Sequence, residues 1–214
     1  SHLLCLYLDV AFGNDEWGAQ TLAKTTRLYL NNGTASPFFG VTGADVSADA
    51  DITEDVHAAD FNGDSLIGLL VINDTVAHKV YLNDGAGDPF DNAVTINVGL
   101  GYDSFEAAIG DMDADGDIDI VVATSGDVNY LYLNTGLADP FTGVAGINIT
   151  DEIDYTYSID VGDVDSDGDL DVIAGTSSGK TNKIFLNDGL STPGFGTNGY
   201  PVSTDALGSD RKSV

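Results

Sequence analysis

Two nine-residue stretches hold the side chains most able to do chemistry. They are Asp111-Met112-Asp113-Ala114-Asp115-Gly116-Asp117-Ile118-Asp119 and Asp163-Val164-Asp165-Ser166-Asp167-Gly168-Asp169-Leu170-Asp171. Each has a carboxylate at every odd position. When such a chain curls, alternate side chains converge on one point, and a glycine at the sixth position permits the sharp turn. Ca²⁺ takes six to eight hard oxygens in a loose shell, which this donor set matches. The expected side-chain ligands are positions one, three, five and nine: Asp111, Asp113, Asp115 and Asp119 in one loop, and Asp163, Asp165, Asp167 and Asp171 in the other. Position seven, Asp117 or Asp169, is expected to give its backbone carbonyl, as in related Asp loops.

A solvated charge run explains the composition of these loops but not their spacing. Two carboxylates about 5 Å apart repel by roughly 3 kcal/mol at an effective dielectric near 20, and each loop holds several such pairs. A bound cation removes that cost. Mg²⁺ prefers a rigid octahedron with several waters, and Zn²⁺ wants His or Cys ligands that these loops lack, so Ca²⁺ is the expected ion. An EF-hand would need a Glu at position twelve and a flanking helix. Val122 and Ala174 stand there, inside β-rich runs.

A third loop is worn: Asp60-Phe61-Asn62-Gly63-Asp64-Ser65-Leu66-Ile67-Gly68. It keeps donors at positions one, three and five (Asp60, Asn62, Asp64) and could give the Leu66 carbonyl. It has Gly68 at position nine and no glycine at position six. Weak binding or none is expected. Further upstream, Tyr7-Leu8-Asp9-Val10-Ala11-Phe12 resembles the end of such a loop and its strand. No acid precedes it from His2 to Leu6, so no intact site is expected there.

The loops belong to a longer period. The string Leu28-Tyr29-Leu30-Asn31-Asn32-Gly33 returns as Val80-Tyr81-Leu82-Asn83-Asp84-Gly85, as Leu131-Tyr132-Leu133-Asn134-Thr135-Gly136 and as Ile184-Phe185-Leu186-Asn187-Asp188-Gly189. The steps from Asn31 to Asn83, Asn134 and Asn187 are 52, 51 and 53 residues. Six residues after each Asn comes Pro37, Pro89, Pro140 or Pro193, closely followed by Phe38, Phe90, Phe141 or Phe195. The approximate units are 1–49, 50–101, 102–153 and 154–214.

The third unit reads as four strands. Ser104–Gly110 is rich in small residues and suits a crowded central axis. Ile118–Thr124 is a continuous apolar run, as in a strand buried on both faces. Asn129–Asn134 alternates and ends in an Asn/Gly turn, and Val144–Thr150 is an outer strand. Four strands in about 50 residues is the arithmetic of a propeller blade. The predicted fold is all-β, a β-propeller of about four blades of four antiparallel strands.

Bulk properties agree with a globular β protein that binds cations. The 214 residues carry 35 acidic against 7 basic side chains, a net charge of −28. Such a chain repels nucleic acid and anionic membranes, and no apolar run approaches the roughly 20 residues of a membrane span. No membrane insertion and no nucleic-acid partner are expected. Cys5 alone makes no intrachain disulfide. The sequence shows no secretory signal. Sequons occur at Asn32, Asn73 and Asn148.

The Asp-x-Asp-x-Asp-Gly-Asp-x-Asp loop, the apolar run after it and the Tyr-Leu-Asn-x-Gly turn together resemble the FG-GAP/VCBS repeats. The resemblance covers roughly residues 7–214. It implies the calcium-binding blades of an integrin-α-like β-propeller, with two Ca²⁺ sites and a degenerate third. It also implies an extracellular or cell-surface setting and an adhesion or ligand-recognition role, with a protein or carbohydrate partner. Propellers of that kind have seven blades, so this chain is expected to be a fragment with further blades missing; its last residues, Asp210–Val214, read as the start of another first strand. The rival readings are a non-catalytic scaffold and an accessory propeller attached to a secreted hydrolase or lyase. His2, His57 and His78 are isolated, and no Gly-x-Ser-x-Gly elbow or His-Glu-x-x-His motif is present, so no enzymatic activity is expected of this segment.

Overall fold

The computed structural model describes residues 9–12, 25–87, 89–90, 94–99, 103–151, 153–177, 180–196 and 199–202. The described chain is all-β, with no helix among these residues. The first unit contributes β1 (Val10–Phe12), β2 (Arg27–Tyr29) and β3 (Ala44–Asp45), paired in that order. The second is a four-stranded antiparallel meander of β4 (Thr53–Ala59), β5 (Gly68–Asn73), β6 (His78–Leu82) and β7 (Val94–Val98). The third repeats it with β8 (Ser104–Gly110), β9 (Asp119–Asp127), β10 (Tyr130–Tyr132) and β11 (Ile147–Asn148). The fourth repeats it again with β12 (Asp154–Gly162), β13 (Asp171–Thr176), β14 (Lys183–Phe185) and β15 (Tyr200–Pro201). These are β-propeller blades. The segments that hold Cys5, His2 and the last residues, 203–214, lie outside the described residues.

The second strand is the centre of each blade, and its two faces bury different cores. Along β9, Ile120 and Val122 pack with Phe61, Leu70, Ile72 and Val80 of the second blade, while Val121 and Ala123 pack with Val172, Phe185 and Phe195 of the fourth. The same alternation puts Leu69 and Val71 of β5 against Leu28 and Val46 of the first blade. A strand with apolar side chains on both faces therefore reads as a continuous apolar run. The three cores lie between blades rather than inside them. The Phe after three of the repeated prolines, Phe90, Phe141 and Phe195, helps fill them: Phe141 meets Phe61 of the preceding blade edge to face, with ring centroids 6.2 Å apart.

The third and fourth strands are shorter than the sequence implies. β10 and β11 pair through only two residue pairs, Tyr130↔Asn148 and Leu131↔Ile147. Beyond them one backbone bond continues, Ile149 N–H to the Asn129 carbonyl at 2.9 Å, and side chains join in: Asn129 gives its N–H to Thr150 Oγ1 at 3.2 Å and its side-chain amide to Thr156 Oγ1 at 3.0 Å.

The first strands sit side by side and are latched to one another. The Asp55 carboxylate of β4 accepts the Ala107 N–H of β8 at 3.0 Å, and the Glu106 carboxylate of β8 accepts the Ile159 N–H of β12 at 3.0 Å. Both acids lie five residues before their Asp loop, so one device serves two successive blade contacts. His57 belongs to this seam, with Nε2 2.7 Å from Asp55. Of the sequons, Asn73 is buried, and its amide is spent on the Ala77 carbonyl.

Candidate metal centre

Each Asp loop joins the first strand of a blade to the second, so both its ends are fixed by the sheet. Within the loop, the carboxylate at position one holds the turn. Asp111 accepts the N–H groups of Asp115 and Gly116, each at 3.0 Å. Asp163 accepts those of Ser166, Asp167 and Gly168 at 2.7, 3.2 and 3.2 Å. The carboxylate at position five then accepts the N–H of position seven: Asp117 to Asp115 at 2.9 Å, and Asp169 to Asp167 at 3.0 Å. Donors spaced two apart are thereby held around one centre.

The acids converge as alternation requires. Asp111, Asp113 and Asp115 each offer a carboxylate oxygen within 4.8 Å of the others; in the second loop Asp163, Asp165 and Asp171 do so. Positions one and three are common to both groups, with position five completing one and position nine the other. Asp113 Oδ1 is buried and has no hydrogen-bond donor, a costly arrangement for a carboxylate oxygen that a cation would relieve. Electrostatics point the same way. Burial, then neighbouring acids, raises Asp113, where Asp115 and Asp111 contribute, and Asp165, where Asp167 and Asp171 contribute. The residues fit a hard divalent cation: oxygen donors only, and more negative charge than the loop itself neutralises.

Position seven points elsewhere. Its side chain lies over the glycine of the Asn-x-Gly turn. A Cβ on Gly136 would come within 2.6 Å of Asp117 Oδ2, and one on Gly189 would collide with the Asp169 carboxylate. Leu66 lies over Gly85 in the same way. The side chain of position seven thus sits against the turn after the third strand, while its backbone N–H is held by position five.

Position nine does work that the sequence does not announce. Asp119 is 1% exposed and Asp171 fully buried. Asp119 accepts the Met112 N–H and the Asn134 N–H, each at 2.7 Å. Asp171 accepts the N–H groups of Val164 and Asn187, each at 2.9 Å. One carboxylate thus ties the start of the loop to the turn after the third strand. Burial pushes Asp119 up to about 7, with Asp113 and Asp115 adding to it, and a cation would offset both effects. In the first unit, Asp9 accepts the Asn31 N–H at 2.7 Å. It occupies the place of Asp119 and Asp171, so that unit keeps the bond to the turn after the third-strand equivalent.

The turn Asn completes the clamp. Asn134 donates its side-chain amide to the Ile118 carbonyl of its own loop at 3.0 Å and to the Phe61 carbonyl of the preceding loop at 2.8 Å. Asn187 does the same with Leu170 at 3.1 Å and Met112 at 2.7 Å. The repeated Asn is the signal that could have found this contact, since its spacing from the loop is fixed.

The Asp60 loop keeps the fold of the intact pair. Asp60 accepts the N–H groups of Asp64 and Ser65 at 3.2 and 2.8 Å, and Asp64 accepts the Leu66 N–H at 2.8 Å. All three loops need left-handed residues at positions four and six: Ala114 and Gly116, Ser166 and Gly168, Gly63 and Ser65, with φ between 59° and 102°. The glycine at position six is exchanged for one at position four, so each loop retains one glycine in a left-handed position. What is lost is charge. Asn62 donates its amide to Asp64 at 3.0 Å, where Asp113 would repel Asp115. Position nine cannot be restored simply, because a Cβ on Gly68 would meet the Tyr81 carbonyl at 2.9 Å.

The FG-GAP-like repeat profile matches residues 60–122 and 111–174. Each match runs from one Asp loop through the next and into the strand that follows, so the loop from Asp111 is shared. A search of the curated proteins finds no match to the chain.

Proposed function

The chain belongs to the FG-GAP-like repeat family, and from that premise we propose that it is the calcium-binding module of a secreted or cell-surface protein, acting in adhesion or in recognition of a protein or glycan. The observation that carries the metal reading is the buried, donor-less Asp113 Oδ1 inside a group of three converging carboxylates. Ca²⁺ is favoured over Mg²⁺ because the loop is irregular and rich in oxygen donors, and over Zn²⁺ because no His or Cys joins either group. The loops from Asp111 and Asp163 are the two sites, and the loop from Asp60 is a structural relic. When bound, the ion would neutralise the carboxylates and fix the crossing from first to second strand; Asp111 and Asp163 hold that crossing in shape through backbone N–H groups.

A binding role fits the histidines better than catalysis does. His57 is paired with Asp55 in a seam between blades, and His78 is buried with Nδ1 accepting the Asn73 N–H at 3.3 Å. A setting outside the cell accords with Ca²⁺ levels that keep such sites filled, and no described helix is long and apolar enough to cross a membrane. Calorimetric titration of the chelator-treated protein is expected to give two Ca²⁺ per chain. A stoichiometry of zero, or equal affinity for Mg²⁺, would overturn the metal reading. A glycan and matrix-protein array probed with and without EGTA tests recognition, and a Ca²⁺-dependent ligand is the expected result.

A further inference from the structure

Six pairs of Asn or Asp followed by Gly lie wholly within the described residues, and five share a feature that the sixth lacks. In such a pair the glycine nitrogen can reach the side-chain carbonyl carbon before it, with no Cβ to block the approach. In five pairs that nitrogen is engaged. Gly33 and Gly85 donate their N–H groups to Asn31 and Asn83 Oδ1, each at 2.8 Å, and Gly189 donates to Asn187 Oδ1 at 3.1 Å. In the metal loops Gly116 donates to Asp111 at 3.0 Å and Gly168 to Asp163 at 3.2 Å. The sixth pair is Asn62-Gly63, and the Gly63 N–H has no hydrogen-bond acceptor among the described residues.

The difference traces to the exchange of glycines in the worn loop. In the intact loops glycine stands at position six, and the carboxylate at position one holds its N–H. In the worn loop Ser65 takes that bond, to Asp60 at 2.8 Å, and the glycine moves to position four, directly after an Asn. The Asn62 side chain is held over the turn: its amide donates to Asp64 at 3.0 Å, and its Oδ1 accepts the Asp64 N–H at 3.4 Å, which polarises the side-chain carbonyl. Position four is Ala114 or Ser166 in the intact loops, so neither presents this pair.

We propose that Asn62 is a site of spontaneous deamidation, set apart from the other pairs by the unengaged N–H of Gly63. Solvent hydroxide takes that proton as the Gly63 nitrogen bonds to Asn62 Cγ. The Cγ–Nδ2 bond then breaks, and the side-chain nitrogen leaves as ammonia with a proton from water. Water opens the resulting succinimide at either carbonyl and gives an aspartyl or an isoaspartyl residue; nothing is oxidised or reduced. The aspartyl product ends the amide bond to Asp64 and sets a carboxylate at position three, between Asp60 and Asp64, where the next loop has Asp113. The metal loops are spared, because Asp111 and Asp163 engage the glycine nitrogens of their own Asp-Gly pairs.

Asn32-Gly33 supplies the internal comparison. Asn32 is exposed and Asn62 half-buried, so exposure alone favours reaction at Asn32. Bonding favours Asn62: the Gly33 N–H is spent, and the Asn32 amide is held by the Ser36 and Phe39 carbonyls at 3.4 and 3.3 Å. The test is incubation of the folded wild-type protein in mildly alkaline Ca²⁺ buffer. Peptide mapping by mass spectrometry follows the conversion of amide to acid at each Asn, and isoaspartyl methyltransferase labels the isoaspartyl product. Asn62 is expected to react about fivefold faster than Asn32, the rate equivalent of a hydrogen bond of about 1 kcal/mol. In urea, where neither glycine nitrogen is engaged, the two rates are expected to converge. Reaction at Asn62 no faster than at Asn32 in the folded protein overturns the proposal, as does a preference for Asn62 that persists in urea.

Discussion

The side-chain amide of Asn134 reaches the backbone carbonyl of Phe61, a residue 73 positions earlier, at 2.8 Å. The same Asn gives its own N–H to Asp119 at 2.7 Å. One residue therefore joins the position-nine acid of its own loop to the second residue of the loop before it. Asn187 repeats the pattern with Asp171 and Met112. The loops from Asp60 and Asp111 are thus each held by the blade that follows.

This arrangement separates two kinds of acid. Asp119→Ala leaves the Met112 and Asn134 N–H groups without their acceptor in a buried setting. Unpaired buried donors cost about 1–3 kcal/mol each, so the variant is expected to lose about 3 kcal/mol or more even in EGTA. Asp111→Ala leaves only exposed N–H groups unpaired and is expected to lose much less in EGTA. Urea melts of both variants with and without Ca²⁺ check the contrast; equal losses in EGTA would remove the clamp.

Site occupancy has its own prediction. Asp111→Ala and Asp163→Ala should each remove one Ca²⁺ and leave the other, whereas Asp60→Ala should leave the stoichiometry unchanged. At a free Ca²⁺ ten times the dissociation constant each site adds about 1.4 kcal/mol, so EGTA should lower the melting temperature of the wild type by more than that of either single-site variant. Calorimetry counts the ions and thermal melts weigh them.

The Asp60 loop invites a repair that the structure argues against. From its sequence, Gly68→Asp restores a ligand at position nine. The Tyr81 carbonyl stands 2.9 Å from where the new Cβ must go, so the expected outcome is a loss of about 1–3 kcal/mol, as for other overpacked positions, with no gain in Ca²⁺. Ser65→Gly is expected to be neutral or stabilising by up to about 1 kcal/mol, because Ser65 lies at a φ of 69°. Denaturant midpoints of the two variants should move in opposite directions, or only the first should move.

His78 predicts a pH effect. Burial lowers it to about 4, so the folded state holds it neutral while the unfolded chain takes a proton near 6.5. Its folded-state pKa lies below the unfolded value, and stability is lost as pH falls from about 6.5 to about 4. The full loss is on the order of 3 kcal/mol. Asn129 and Asn182 fill the same place in the next two blades, accepting the N–H groups of Thr124 and Thr176 at 3.1 and 3.0 Å. His78→Asn keeps the acceptor and removes the titration. In EGTA, the difference in stability between wild type and His78→Asn should change across that pH window; a constant difference would refute the assignment.

The sequence alone determined the features that are local or periodic. The Asn31, Asn83, Asn134 and Asn187 series set the repeat, the alternating acids marked the loops, and β8 fell on the expected Ser104–Gly110. These were legible because a turn, a curled loop and a strand buried on both faces each impose a pattern on adjacent residues. Tertiary structure decided what depends on partners not adjacent in sequence: that the cores lie between blades, that Asp55 and Glu106 latch first strands 52 and 53 residues on, and that Asp119 and Asp171 clamp a turn 15 and 16 residues away. It also decided that Gly63 and Ser65 keep the shape of a loop that looks broken in sequence. An acid aimed at a cation and an acid aimed at a buried N–H have the same letter; only the position of the donor distinguishes them.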